Sequence, residues 1–147
     1  ATASISGSTI SGNTATGDRP SSVAWSYDPL DQAFWYGCGG GIVNAAEMTI
    51  TDTVLSWNKV PDGTGGGAIY NAEGYGVRLT LTGCTITNNS AGYMGGGIYN
   101  DHATLTIYSS TITKNTASIG NDIYNDGGSV STSKAAPRNN NPGNSKK

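Results

Sequence analysis

A glycine-led phrase, Gly-Gly-Gly-Ile-Val-Asn and its variants, recurs around Ile42, Ile69, Ile98 and Ile123 at intervals of 27, 29 and 25 residues. A period in the twenties marks a solenoid, in which each repeat is one coil stacked on the last. No helical periodicity accompanies it, and the chain is rich in Gly, Thr and Asn. The implied architecture is an all-β parallel β-helix.

A second phrase lies inside every coil. Thr49-Ile50-Thr51 precedes Val54-Leu55-Ser56, Thr80-Leu81-Thr82 precedes Thr85-Ile86-Thr87, and Thr106-Ile107-Tyr108 precedes Thr111-Ile112-Thr113. Aligned, the coils give inward columns Ile5/Ile50/Leu81/Ile107, Ile10/Leu55/Ile86/Ile112, Ala15/Val60/Ala91/Ala117 and Ile42/Ile69/Ile98/Ile123. Apolar residues flanked by Thr or Ser give the alternation of strands with one buried face. Three short strands per coil are expected, in four to five coils. At about 4.8 Å per coil this is a stub roughly 20–24 Å long.

Asparagine forms columns as well. Asn44, Asn71, Asn100 and Asn125 close the glycine phrase, and Asn13, Asn58, Asn89 and Asn115 close the threonine phrase. Asn tolerates left-handed backbone and bonds its own turn, which fits a corner between strands. Identical Asn side chains at strand spacing can also bond one another along the axis.

With these phrases in place, the chain resembles the right-handed parallel β-helix repeats of bacterial and archaeal cell-surface proteins. Adhesin-like proteins of methanogens carry similar phrases. Gly66-Gly67-Ala68-Ile69-Tyr70-Asn71 is also similar to the Gly-Gly-Ala-Ile repeats of polymorphic outer-membrane proteins. The resemblance implies an extracellular, cell-surface setting as stalk, adhesin or coat. It carries over no catalytic residue.

One stretch departs from the repeat. An insertion at about 17–38 holds Trp25, Tyr27, Phe34, Trp35 and Tyr36, three readings of which are open: subunit contact, a lid over the core, or stacking on a surface glycan. The helix domain is expected over 1–134, followed by a basic Asn- and Pro-rich tail at 135–147. Lys134, Arg138, Lys146 and Lys147 lie in the last 14 residues, leaving four basic and ten acidic residues before them, a net of −6. A basic tail on an acidic body can bind a neighbouring copy. No signal peptide, membrane span or initiating Met is evident, which suggests a processed or excised chain. Uncapped coils at both ends would expose unpaired strand edges. The expectation is a head-to-tail homopolymer, forming a fibre or sheath.

The remaining chemistry is sparse. Cys84 stands where the next coil has Ser110 and is expected to face the core, whereas Cys38, ending the insertion, is the candidate intersubunit crosslink. Asn88-Asn89-Ser90 is a glycosylation sequon, with Asn88 expected outward. Polysaccharide-cleaving β-helices need clustered carboxylates, but Asp52, Asp62, Glu73, Asp101, Asp122 and Asp126 are scattered. Asp101 and Asp126 could meet across adjacent coils beside His102, with no evident third carboxylate. A non-enzyme without cofactor or metal is expected. The acidic body argues against nucleic acid, and Tyr108 breaks the Thr face that ice binding would need.

Overall fold

The computed structural model describes residues 1–16, 38–61 and 65–134. Strands pair in parallel with their equivalents one coil away, which builds a solenoid with three main walls. The first wall stacks β1 (Thr2–Ser6), β4 (Glu47–Thr51), β8 (Arg78–Thr82), β12 (Thr104–Tyr108) and β15 (Ser129–Ser133). The second stacks β2 (Thr9–Ser11), β5 (Val54–Ser56), β9 (Thr85–Thr87) and β13 (Thr111–Thr113). The third stacks β3 (Ile42–Asn44), β7 (Ile69–Asn71), β11 (Ile98–Asp101) and β14 (Ile123–Asp126). Between the second and third, β6 (Lys59–Val60) pairs with β10 (Ser90–Ala91), adding a short fourth wall to the three expected. The Ala15/Val60/Ala91/Ala117 column belongs there, continued by single bridges Thr14–Lys59 and Ser90–Thr116.

The register aligns the columns as the repeat implies. Ile5, Ile50, Leu81 and Ile107 are successive partners, as are Ile10, Leu55, Ile86 and Ile112, and Ile42, Ile69, Ile98 and Ile123. A further inward column runs Met48, Leu79, Leu105 and Val130 along the first wall. Leu79 and Leu105 are fully buried, as are Ile50, Leu55, Leu81 and Ile86. Each such side chain contributes about 1.5–3 kcal/mol of burial. Central coils bury their residues completely, while Ile5, Ile10, Ile112 and Ile123 at the two ends are only partly covered.

The corners differ from expectation in one respect. The left-handed residue at the corner after the second wall is not the ladder Asn but the residue before it: Gly12, Trp57, Asn88 and Lys114 all have φ between 58° and 70°. That turn sends the following Asn inward, where Asn58, Asn89 and Asn115 are buried. Glycine has a steric role before the third wall. A Cβ on Gly40, Gly67 or Gly96 would overlap the next coil's carbonyl oxygen, that of Gly67, Gly96 or Thr116 respectively. Coils can approach this closely only where no side chain intervenes.

Candidate functional site

Two polar ladders run along the axis inside the solenoid. In the first, Asn13 Nδ2 donates to Asn58 Oδ1 at 3.0 Å, Asn58 to Asn89 at 3.0 Å, and Asn89 to Asn115 at 2.9 Å. The same Oδ1 atoms also accept the backbone N–H of the preceding Asn. In the second, Asn44 donates to Asn71 at 2.8 Å, Asn71 to Asn100 at 2.6 Å, and Asn100 to Asn125 at 2.7 Å. Remaining amide protons reach backbone carbonyls such as Leu55 O and Thr104 O. Among the described residues, no buried side-chain polar atom lacks a partner. The Asn columns therefore carry polar groups through an apolar core at little cost, since buried amides are tolerated only when bonded.

A third ladder lies on the outer face of the third wall and was not anticipated. Strand alternation turns Tyr70, Tyr99 and Tyr124 outward, in register. Cys38, Ala72 and Met94 nonetheless pack against them, so Tyr70 and Tyr99 are buried. Ring centroids lie 5.2 and 5.5 Å apart with tilted planes, a favourable aromatic arrangement. The Tyr70 hydroxyl donates to Asp101 Oδ2 at 2.7 Å, and the Tyr99 hydroxyl to Asp126 Oδ2 at 3.3 Å. Burial first, then the neighbouring carboxylates, pushes both phenol pKa values well above the ordinary range. Both hydroxyls thus remain protonated donors.

Asp101 and Asp126 are register partners, as the repeat spacing suggested. Glu73, one of the acids scattered along the sequence, instead lies beside Asp101 and His102. Ligand atoms of Glu73, Asp101 and His102 lie within 4.8 Å of one another, the group among the described residues that could hold a metal ion. Asp101 Oδ1 lies 2.7 Å from His102 Nδ1, and this bond is the main cause that raises the imidazole pKa. With Tyr70 on one oxygen and His102 on the other, the Asp101 carboxylate is engaged on both oxygens by side chains of the chain itself. Glu73 and His102 are exposed. Three Ile-Tyr-Asn phrases in the sequence carried the signal for this ladder, but the cover over the rings comes from other segments.

Other anticipated positions fall as follows. Cys84 is buried, its Sγ near Ile50 O and Thr82 O, and its N–H bonds Ser110 Oγ in the next coil. Cys38 is 7% exposed within the tyrosine cluster, burial that a crosslink to a second copy would have to undo. Asn88 sits at its corner half-buried. Lys134 is exposed, and its carbonyl accepts from the Ser109 hydroxyl. Trp25, Tyr27, Phe34, Trp35, Tyr36, Arg138, Lys146 and Lys147 lie outside the described residues.

Walls, columns and ladders together define a parallel β-solenoid repeat protein. A family model, the Chlamydia polymorphic membrane protein repeat, matches residues 83–101, which run from the second wall of one coil to the third wall of the same coil. Searches of curated proteins and of solved structures returned no match.

Proposed function

We propose that this chain is an extracellular structural protein of the cell surface, a rigid rod segment that stacks with further copies into a fibre or sheath. The observation that carries the reading is the pair of uninterrupted Asn ladders. They bond every coil to the next in the same way, so the body is a one-dimensional array whose stiffness lies along its axis. The similarity of residues 83–101 to a repeat of polymorphic membrane proteins supports a surface setting. The reading is non-catalytic: Tyr70 and Tyr99 are held protonated and Asp101 is engaged on both oxygens, which favours a structural role for the polar cluster.

A second reading, a glycan-gripping adhesin, has the aromatic insertion as its expected site and gains some support from Trp57. This side chain is 60% exposed at a left-handed corner, where column-mates are Gly12, Asn88 and Lys114. Exposed aromatics stack on sugar rings.

Negative-stain electron microscopy of the purified chain, with and without reductant, tests the proposal. Filaments or sheets with an axial repeat near the length of one stub are expected. Monodisperse particles under all conditions would overturn stacking and leave the adhesin reading to be tried by glycan binding.

A further inference from the structure

We infer that Asn121 and Asp122 form a cap that ends the first Asn ladder and closes that corner of the solenoid to any further coil, including one from a second copy of this chain. In lower coils, three donors at this corner point along the axis and are met by the next coil. Asn89 N–H and Nδ2 donate to Asn115 Oδ1 at 3.0 and 2.9 Å, and Ala91 N–H donates to Thr116 O at 2.9 Å. One coil further on, the equivalent donors are Asn115 N–H, Asn115 Nδ2 and Ala117 N–H. All three are met from within the same coil. Asp122 Oδ1 accepts from Asn115 N–H at 3.2 Å and from Nδ2 at 3.0 Å, and Asn121 Oδ1 accepts from Ala117 N–H at 3.0 Å. A carboxylate oxygen has replaced the amide oxygen of a coil above, and an amide oxygen has replaced a backbone carbonyl.

Sterics agree with the hydrogen bonds. Asn121 and Asp122 occupy the two positions before the inward Ile that are Gly40-Gly41, Gly67-Ala68 and Gly96-Gly97 in the other coils. Glycine is required at the first of these because the next coil's backbone runs where a Cβ would be. A full Asn side chain at 121 fills that space. Donors that would otherwise solicit an incoming strand are satisfied, which is how natural sheets suppress edge-to-edge pairing. The cap stands independently of the stacking proposal. If copies do stack on this end, the joint is made along the edges of β13, β14 and β15, and this corner contributes nothing to it.

Amide hydrogen exchange followed by NMR tests the cap, and sedimentation velocity tests the closure. Asn115 and Ala117 amides are expected to exchange as slowly as Asn89 and Ala91. In N121A, exchange at Ala117 should rise at least about tenfold while Asn115 stays protected; in D122N, whose amide oxygen can still accept, both stay protected. N121G restores the column's own residue, and N121G/D122G opens the corner fully. Both should shift the chain toward larger species relative to wild type and D122N, with Asn89 and Ala91 protection reporting that the fold is kept. Fast exchange of Asn115 and Ala117 in the wild type, or an N121A effect no larger at Ala117 than elsewhere, would overturn the cap. Association of N121G no greater than that of D122N would overturn the closure. Failure of wild-type filaments in the microscope bears on neither result.

Discussion

Asn89, buried to 1% exposure, donates from Nδ2 to Asn115 Oδ1 across 2.9 Å, and its own Oδ1 accepts both the N–H and the Nδ2 of Asn58. One side chain thus holds three coils together. Asn89→Ala leaves the Asn58 N–H and one Asn58 Nδ2 proton without their acceptor in the core, each at about 1–3 kcal/mol. The expected loss is about 3–5 kcal/mol by urea denaturation, for the same reason. Asn13→Ala, at the exposed end of the same ladder, should cost under about 1 kcal/mol.

Gly67 and Gly12 should respond differently to alanine although both are repeat glycines. A Cβ on Gly67 would meet Gly96 O and lie 2.7 Å from the Ser90 carbonyl group, all of it backbone that cannot step aside. Gly67→Ala is expected to separate two coils and abolish cooperative unfolding. Gly12 has φ of 70° but nothing within 4 Å of the added carbon. Its alanine variant bears only the left-handed backbone penalty, about 1–2 kcal/mol. Thermal melts by circular dichroism distinguish the two.

The Leu105 column shows where the sequence could be read and where it could not. Ile columns were visible because every coil repeats the same phrase around them. Leu105 and Leu79 sit two residues earlier on the first wall, where the series runs Ala3, Met48, Leu79, Leu105, Val130, and extending the period-2 alternation by one step would have found them. Tyr70 was beyond such reasoning. Alternation turns it outward, and its burial depends on Cys38 and Met94, which arrive from other parts of the coil. The role of Asn121 and Asp122 likewise depends on which groups the coil beneath leaves pointing upward, a matter of three dimensions. Leu105→Ala should cost about 2–5 kcal/mol, the same as Leu81→Ala in the column that the sequence did reveal, and urea unfolding of both variants makes the comparison.

Tyr70 and Tyr99 give the fold a response to alkali. Their folded pKa values are raised by burial and adjacent carboxylates, so the protonated phenols are the forms the fold favours. This stability is fully present below the unfolded phenol pKa, about 10, and declines as pH rises above it toward the folded values. Ultraviolet phenolate titration followed alongside circular dichroism makes the measurement. Tyr70 and Tyr99 should ionise only together with loss of the β-sheet signal. A single smooth phenolate transition in a folded chain would refute the buried ladder. Tyr70→Phe removes the hydroxyl from Asp101 and should also weaken the alkaline step.

The His102 pKa is raised, and the sign of its effect follows from Asp101. The bond from Nδ1 to Asp101 Oδ1 favours the imidazolium and raises the folded pKa above the ordinary 6.5; desolvation opposes it, and the Asp101, Asp126 and Glu73 charges add to the rise. The stabilising pair is therefore complete below pH 6.5 and is lost as pH rises through the higher folded value. Because the imidazole is well exposed, the effect on global stability is small, and the informative measurement is the ring's own NMR titration. Asp101→Asn should return the His102 midpoint toward 6.5. Glu73→Gln should lower it less, since Glu73 acts only through its charge. A midpoint unmoved by Asp101→Asn would mean that the Nδ1 bond is not formed in solution, and the polar cluster would reduce to the Tyr70–Asp101 and Tyr99–Asp126 pairs.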